Sequence, residues 1–192
     1  MQKPDPNSHP LDLFRFCPKC GSPRFEVHNE KSKSCPDCGF VYYFNPSAAT
    51  AVFVTDMRHN LLVAVRGKDP AKGTFDLPGG FIDCYETARE GAARELLEET
   101  GIDFNRGRGG GVISPLKYLF SVPNIYPYSG FVVHTLDLFF HLEVDTLAPY
   151  IGEGRDDVAE LLAIPLGSTT PELFGLPSVK TAIQKVLENH LI

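Results

Sequence analysis

The sequence predicts an α/β fold in which strands, a helix, further strands and a closing helix succeed one another, preceded by a small cysteine-bearing module. Three observations carry this. Ala48 to Thr55 and Leu61 to Arg66 are rich in Ala, Val and Leu around a turn over Asp56 to Asn60, which reads as a hairpin. Glu86 to Thr100 contains no proline and one interior glycine, is built mostly of good helix formers, and meets Gly101 as a C-terminal cap. Val179, Ile183, Val186 and Leu187 fall at helical spacing within Pro177 to Ile192.

Taken in order, residues 1–14 are expected to form a proline-bearing flexible leader, 15–45 a ribbon, and 46–192 the main domain, with Asn45-Pro46 marking the boundary. The run KGTFDLPGG, Lys72 to Gly80, predicts a tight turn between a strand and the loop that follows. Asn105 to Gly111, NRGRGGG, reads as a flexible surface loop, although Arg106 and Arg108 would suit a site for anionic groups. Strands are expected at Lys117 to Val122 and Phe131 to Val144.

The chain has 192 residues, 43% hydrophobic and 22% charged, enough for one sizeable core and a small appendage. No apolar run approaches the length of a membrane span, so no membrane partner is expected. A net charge of −6 gives no general attraction to nucleic acid, although a local basic patch remains compatible with it. The balance fits a soluble, cytoplasmic protein.

Cys17-Pro-Lys-Cys20-Gly and Cys35-Pro-Asp-Cys38-Gly are two knuckles separated by 14 residues. Two such pairs supply the four thiolates that tetrahedral Zn²⁺ prefers, and a site so filled is structural. About 25 residues bury too little to fold unaided, so the metal would hold the module together. Two disulfides are the competing reading, weakened by the lack of an apolar signal segment. Cys84 stands apart from both pairs as a free thiol without an assigned role.

The acidic cluster Glu95, Glu98 and Glu99 carries the main statement about function. At about 100° per residue, Ala88, Ala92, Ala93, Leu96 and Leu97 share one apolar face, Glu95 and Glu98 flank it, and Glu99 falls inside it. An ionised carboxylate there is costly, and Glu95 and Glu99 repel across one turn. A divalent cation answers both costs, and hard oxygen ligands suit Mg²⁺ or Mn²⁺ completed by water and phosphate. The plainer reading is a solvated acidic face. Arg94 could likewise be an ordinary helix ion pair with Glu90 or Glu98, and Gly79 and Gly80 an ordinary turn.

From Gly80 to Ile102 the chain reads G-x5-E-x7-R-E-L-x-E-E-x-G-I, which resembles the Nudix hydrolase signature at all nine defined positions. That resemblance implies an α/β/α sandwich, a mixed sheet between helices, and hydrolysis of a nucleoside diphosphate linked to another group. It makes Glu95, Glu98 and Glu99 metal ligands, Glu98 the first choice of general base, and Arg94 the residue that orients them. Gly79 and Gly80 become site backbone. The short stretch RDDVAELLAIPL resembles the one that supplies a further metal-binding or base carboxylate, with Asp157 and Glu160 as candidates. Helix capping by Asp156 or Asp157 is the alternative.

A zinc ribbon ahead of such a domain is similar to the NADH pyrophosphatases, whose substrate marker is S-Q-P-W-P-F-P-x-S. Here Ser121 to Ser129 reads SVPNIYPYS: Ser121, Pro123, Pro127 and Ser129 coincide, Tyr126 keeps an aromatic, and Val122, Asn124 and Ile125 differ. The resemblance therefore implies NADH or NAD as substrate and Ser121, Pro123, Tyr126, Tyr128 and Ser129 as its wall. Tyr126 and Tyr128 could stack on a base, or simply pack on the sheet. ADP-ribose or a nucleotide sugar is the alternative substrate, and a ligand-sensing or nucleic-acid-binding module the non-enzymatic one. The one nucleic acid expected as a partner is an NAD-capped RNA. A homodimer is compatible with the resemblance, since many members dimerise, but no residue pattern marks an interface.

Overall fold

The computed structural model describes residues 9–104, 111–128 and 131–192, leaving aside the side chains of 127 and 128. The chain divides into two compact units, residues 1–46 with 126–134, and residues 47–125 with 135–192.

In the first unit, β1 (Glu26–Asn29), β2 (Ser32–Ser34) and β3 (Val41–Tyr43) form a three-stranded antiparallel sheet. Two knuckles of identical build flank it. Cys17 N–H donates to Ser22 O at 2.8 Å and Gly21 N–H to Cys17 O at 2.8 Å, and Cys35 and Gly39 repeat the pair with Phe40 and Cys35 at 2.8 and 2.9 Å. Gly21 and Gly39 adopt φ of 74° and 71°, the left-handed region where a side chain is disfavoured. Residues 9–14 do not behave as a flexible leader: Leu11 is fully buried and His9 Nε2 lies 2.8 Å from Asn29 O. Residues 1–8 lie outside the described part.

The second unit is built on a mixed sheet. β4 (Ser47–Asp56) runs parallel to β8 (Phe131–Val144) over ten paired positions, Ser47 opposite Thr135 through Asp56 opposite Val144. β5 (Asn60–Arg66) pairs antiparallel with β10 (Val158–Pro165), and the order is β7 (Lys117–Tyr128), β8, β4, β5, β10, β9 (Gly152–Glu153). The Asp56 to Asn60 turn is real: Asp56 Oδ1 accepts from the Arg58 and Asn60 amides, both at 2.9 Å. β7 is longer than expected and takes in most of SVPNIYPYS. Its two prolines are tolerated because it lies at the sheet edge, where an amide has no ladder partner to lose.

Apolar side chains cover both sheet faces. On one, Val52, Val54, Leu62, Phe140 and Leu142 pack against Ala92 and Leu96 of α1 (Ala88–Thr100). On the other, Phe53, Val63 and Phe139 pack against Val179, Ala182, Ile183 and Val186 of α2 (Pro177–Asn189). The closing helix thus ends three residues short of Ile192, with His190 left-handed at φ 49°. Since alternate strand residues serve opposite faces, β4 contributes Val52 and Val54 to one core and Ala51 and Phe53 to the other.

β4 and β5 pair through Thr55 and Leu61 and then diverge. The fork is filled from both sides. β6 (Phe75–Asp76) pairs with β5, while Pro78–Ile82 runs along β4, with Val52 N–H donating to Pro78 O at 2.9 Å, Thr50 N–H to Gly80 O at 2.8 Å and Ile82 N–H to Ala48 O at 3.0 Å. The glycine pair therefore belongs to a strand-like segment, not to the tight turn its composition suggested.

Candidate functional site

Helix α1 begins two residues later than expected. Thr87 caps it and Glu90 completes a reciprocal box, with Thr87 N–H donating to Glu90 Oε2 at 2.8 Å. Glu90 is thereby taken, so the anticipated Arg94–Glu90 pair does not form. Arg94 instead donates through Nε and Nη2 to both oxygens of Glu86 at 2.8 and 3.0 Å, the fork-to-carboxylate match that arginine geometry favours. Its Nη1 reaches Glu95 Oε1 at 2.8 Å and Glu98 Oε2 at 3.2 Å, and Nη2 reaches Phe81 O at 2.9 Å. One guanidinium thus ties three carboxylates and the loop together. Hydrogen bonding to Arg94 holds Glu86 below the usual carboxylate range.

Glu99 faces inward, as its angular position implied, with 8% of its surface exposed. Leu97, expected on the apolar face, is exposed instead, because it lies opposite Glu99 around the helix. Gly79 N–H donates to Glu99 Oε2 at 2.9 Å. Burial nevertheless pushes the Glu99 carboxyl up to about 8, with the Gly79 bond opposing and the charges of Glu95, Asp76 and Asp156 adding to the rise. Glu95 also rises through burial, against the pull of Arg94. Asp76, on β6 and bonded to Arg66 Nη1 at 2.6 Å, rises through burial as well.

Gly79 is required by the backbone beside it, and Gly80 leaves room for the end of a side chain. A Cβ on Gly79, whose φ is 152°, would strike Thr50 O and lie 2.8 Å from Ala51 Cα. A Cβ on Gly80 would lie 2.6 Å from Glu95 Oε1. The segment's alternation finishes the job: residues 78, 80 and 82 bond to β4, so Gly79 N–H and Phe81 C=O turn away and meet Glu99 and Arg94.

The structure brings Glu95, Glu98, Glu99, Arg94, Gly79 and Gly80 together. It does not bring Asp157 or Glu160 to them. Asp157 pairs with Lys68, and Glu160 is exposed on β10 opposite Val65 and Glu153. The charge felt by both Glu95 and Glu99 is that of Asp156, a residue with left-handed φ of 54°, two positions before Val158 in the α1-side core. Helix capping by Asp156 or Asp157 also falls away, because a strand follows. Of the SVPNIYPYS residues, Ser121 and Pro123 are exposed, while Asn124 is buried and donates to Asp137 Oδ2 at 3.2 Å. Tyr126 is half-buried. The side chain of Tyr128, all of Ser129, and Arg106 and Arg108 lie outside the described residues. Glu86 and Asp156 are the two residues that sequence reasoning passed over. The first stands in the signature itself, whereas the second lies in a turn whose left-handed φ at Asp156 no sequence period announces.

In the ribbon, Cys17 Sγ and Cys38 Sγ are 3.7 Å apart, as are Cys20 and Cys35, with all four sulfurs within 4.8 Å. Disulfides, at about 2.05 Å, are excluded. A tetrahedron of Zn–S bonds of about 2.3 Å has edges of about 3.8 Å, so the four thiols fit a structural zinc. Among the described residues they are the one set of three or more His, Cys, Asp or Glu whose ligand atoms are so tightly grouped. The glutamates form a looser donor set, suited to an ion that draws further ligands from water and phosphate.

The NUDIX domain model matches residues 45–165, well over half the chain, and covers the helix, the fork and the strands around them. The chain belongs to the Nudix family. Its ribbon, residues 12–43, matches the NADH pyrophosphatase zinc ribbon domain. Among curated relatives, the NAD-capped RNA hydrolase NudC of Vibrio cholerae is 28% identical over 153 residues, spanning 80% of this chain and 49% of that one. NudC of Stutzerimonas stutzeri is 33% identical over 133 residues, spanning 69% and 42%. The chain thus spans about half the length of the curated relatives it matches. A NUDIX hydrolase crystal structure from Nitrosomonas europaea shares the fold with a TM-score of 0.64 at 19% identity, covering 91% of each chain. Nudix enzymes use divalent metals.

Proposed function

We propose that the chain is a divalent-metal-dependent pyrophosphohydrolase that cleaves the diphosphate link of an NAD-type dinucleotide, free or as the 5′ cap of an RNA. The observation that carries this reading is Glu99, a carboxylate with 8% exposure that accepts one backbone bond beside Glu95 and Asp156. A buried carboxylate so poorly compensated, with further negative groups beside it, is a site prepared for a cation. The names of the curated relatives and the type of the ribbon support the dinucleotide.

When bound, Mg²⁺ or Mn²⁺ would supply charge neutralisation at the diphosphate and activation of water. Glu95, Glu98 and Glu99 would hold it, with Asp156 as a further ligand in place of Asp157 or Glu160. Glu98 takes the proton of the attacking water, because it is the most accessible of the three, half exposed and restrained by one bond to Arg94. Arg94 positions Glu95 and Glu98, and the Gly79-Gly80 backbone fixes Glu99. Ser121, Pro123, Tyr126, Tyr128 and Ser129 are assigned to the substrate side. A homodimer and a cytoplasmic location belong to the same proposal and are checked by sedimentation and cell fractionation.

ADP-ribose or a nucleotide sugar is the second reading. It is favoured by Asn124, which stands where the marker has tryptophan and is buried against Asp137, so that ring is missing from this wall. Hydrolysis of NADH, NAD⁺, ADP-ribose, a nucleotide sugar, diadenosine polyphosphates and NAD-capped RNA with Mg²⁺ or Mn²⁺ separates the readings. Dinucleotides, free or capping RNA, are expected to be preferred, with Glu98→Gln and Glu99→Gln each slowing turnover about 10²-fold or more in a folded protein. Near wild-type rates in both variants would refute the catalytic assignment, and uniformly slow rates on every substrate would leave the sensing role.

A further inference from the structure

The ribbon unit carries an aromatic array that its zinc site does not explain. Six rings follow one another at contact distance: Phe40 to Tyr42 at 6.4 Å, Tyr42 to Phe14 at 6.2 Å, Phe14 to Phe131 at 5.9 Å, Phe131 to Phe44 at 6.0 Å and Phe44 to His134 at 5.6 Å. The first two contacts are stacked, with interplanar angles of 21° and 29°. Cores normally hide such rings, yet Phe14 is 37% and Tyr42 40% exposed, and neighbouring Phe16 is 62% exposed. The core of the unit, Cys17, Phe25 and Cys35 with Cys38, meets the array at Phe40 alone.

The ribbon unit is slightly basic within an acidic chain. Residues 9–46 hold Arg15, Lys19, Arg24, Lys31 and Lys33 against Asp12, Glu26, Glu30 and Asp37, a net charge of +1, in a chain whose net charge is −6, and Lys33 is buried. Lys33 pairs with Tyr42 across β2 and β3 and donates to Phe14 O at 3.1 Å, while Lys31 O accepts from Phe44 N–H at 2.7 Å. The ribbon's acidic Asp37 is neutralised by Arg24. Flat, partly exposed rings interleaved with lysine and arginine match the bases and phosphates of a single strand. The net positive charge of this unit within an acidic chain favours a polyanion as the occupant.

We propose that this face of the ribbon is a docking platform for single-stranded RNA, with bases stacking on Phe14 and Tyr42 and phosphates meeting Arg15 and Lys31. It deepens the proposed function by giving the RNA behind a cap a place to bind. Its test uses uncapped RNA, so the two fail separately. Fluorescence anisotropy of a labelled, uncapped single-stranded oligonucleotide is measured on the full, zinc-loaded chain. Phe14→Ala and Tyr42→Ala are each expected to weaken binding about 5- to 100-fold, and Arg15→Gln to flatten the salt dependence. Hydrolysis of free NAD⁺ should not change in any of the three. Zinc content confirms that each ribbon is folded, and Tyr42→Ala, on an edge strand, decides the matter if Phe14→Ala loses its metal. Absence of RNA binding by the wild type would overturn the proposal, as would equal affinities of wild type and Tyr42→Ala. So would variants whose one change is lost self-association in sedimentation, which would give this face to a second copy.

Discussion

Replacing Glu99 by glutamine removes a charge that the fold holds at a cost, and the cost can be worked out. Burial moves this carboxyl from the ordinary 4.5 to about 8. Between those values the folded chain holds a proton that the unfolded chain has released, so in the absence of a divalent ion stability falls as pH rises from about 4.5 to 8. At about 1.4 kcal/mol per pH unit, a gap of about 3.5 units gives about 5 kcal/mol as the order of the loss. At roughly 2–4 °C per kcal/mol for a protein of this size, the melting temperature drops by roughly 10–20 °C. Glutamine has the same shape and no such titration, and it can still accept the Gly79 amide bond. The assay is thermal unfolding from pH 5 to 8 in buffers free of Mg²⁺ and Mn²⁺. Chelators are omitted so that the ribbon keeps its zinc, which is checked by metal analysis. Glu95, Asp76 and His141 also titrate away from their ordinary values and shape both curves, so the expected result is a difference: the wild type loses stability relative to Glu99→Gln as pH rises from 5 to 8, and regains more of it on adding Mn²⁺. Parallel curves for the two proteins would refute the argument that burial of Glu99 sets the electrostatics of this site.

Gly80→Ala pushes against the movable end of Glu95, so it should cut kcat/KM about 10²-fold with little change in Tm. Gly79→Ala strikes the backbone of Thr50 and Ala51 and should lower stability by on the order of 3 kcal/mol; kinetics and melts showing the reverse order would contradict the fork geometry. Asp156→Asn should weaken Mn²⁺ binding in calorimetry by about 10-fold or more, and Asp157→Asn should leave it unchanged; an effect at Asp157 alone would return the ligand to that residue. Cys35→Ser should release the zinc and expose the ribbon to limited proteolysis, because structural zinc contributes on the order of 10 kcal/mol to such modules; retention of one zinc per chain would count against the four-thiolate site.

The helix and its inward Glu99 were legible because a 3.6-residue period fixes which side chains share a face, independently of what packs there. The cysteine knuckles were legible because their ligands are close in sequence. What escaped depends on contacts across the chain. Arg94 has acidic neighbours at helical spacing on both sides, and the sequence does not reveal that Thr87 claims Glu90 while Glu86 comes back from the loop. Asp156 and Asp157 are neighbours in the turn before β10, and their directions are set by the left-handed φ of 54° at Asp156, a conformation the sequence does not signal. The glycine pair signals a turn in composition, whereas the fork between β4 and β5, formed by residues some 20 positions upstream, recruits it as a strand.

That recruitment leaves no room for a change in the segment's length. In a strand-like segment, successive residues direct their backbone groups to opposite sides. With residues 78, 80 and 82 committed to β4, the groups of 79 and 81 that remain must face α1. One is a donor, Gly79 N–H, and it meets the acceptor Glu99; the other is an acceptor, Phe81 C=O, and it meets the donor Arg94. Two residues along an extended strand cover about 6.6 Å, and Glu99 lies five residues beyond Arg94, about 7.5 Å along the helix axis. The two spacings agree closely enough for both bonds to form together. A single residue inserted between Gly79 and Phe81 would invert the alternation, presenting a side chain where Glu99 needs an amide and aiming one of the two groups back at β4. The helix would survive such an insertion, since its cap and apolar face are its own, but its carboxylates would lose the backbone that arranges them. Position in the fork, more than the number of glutamates, is what turns an acidic helix face into a candidate metal centre.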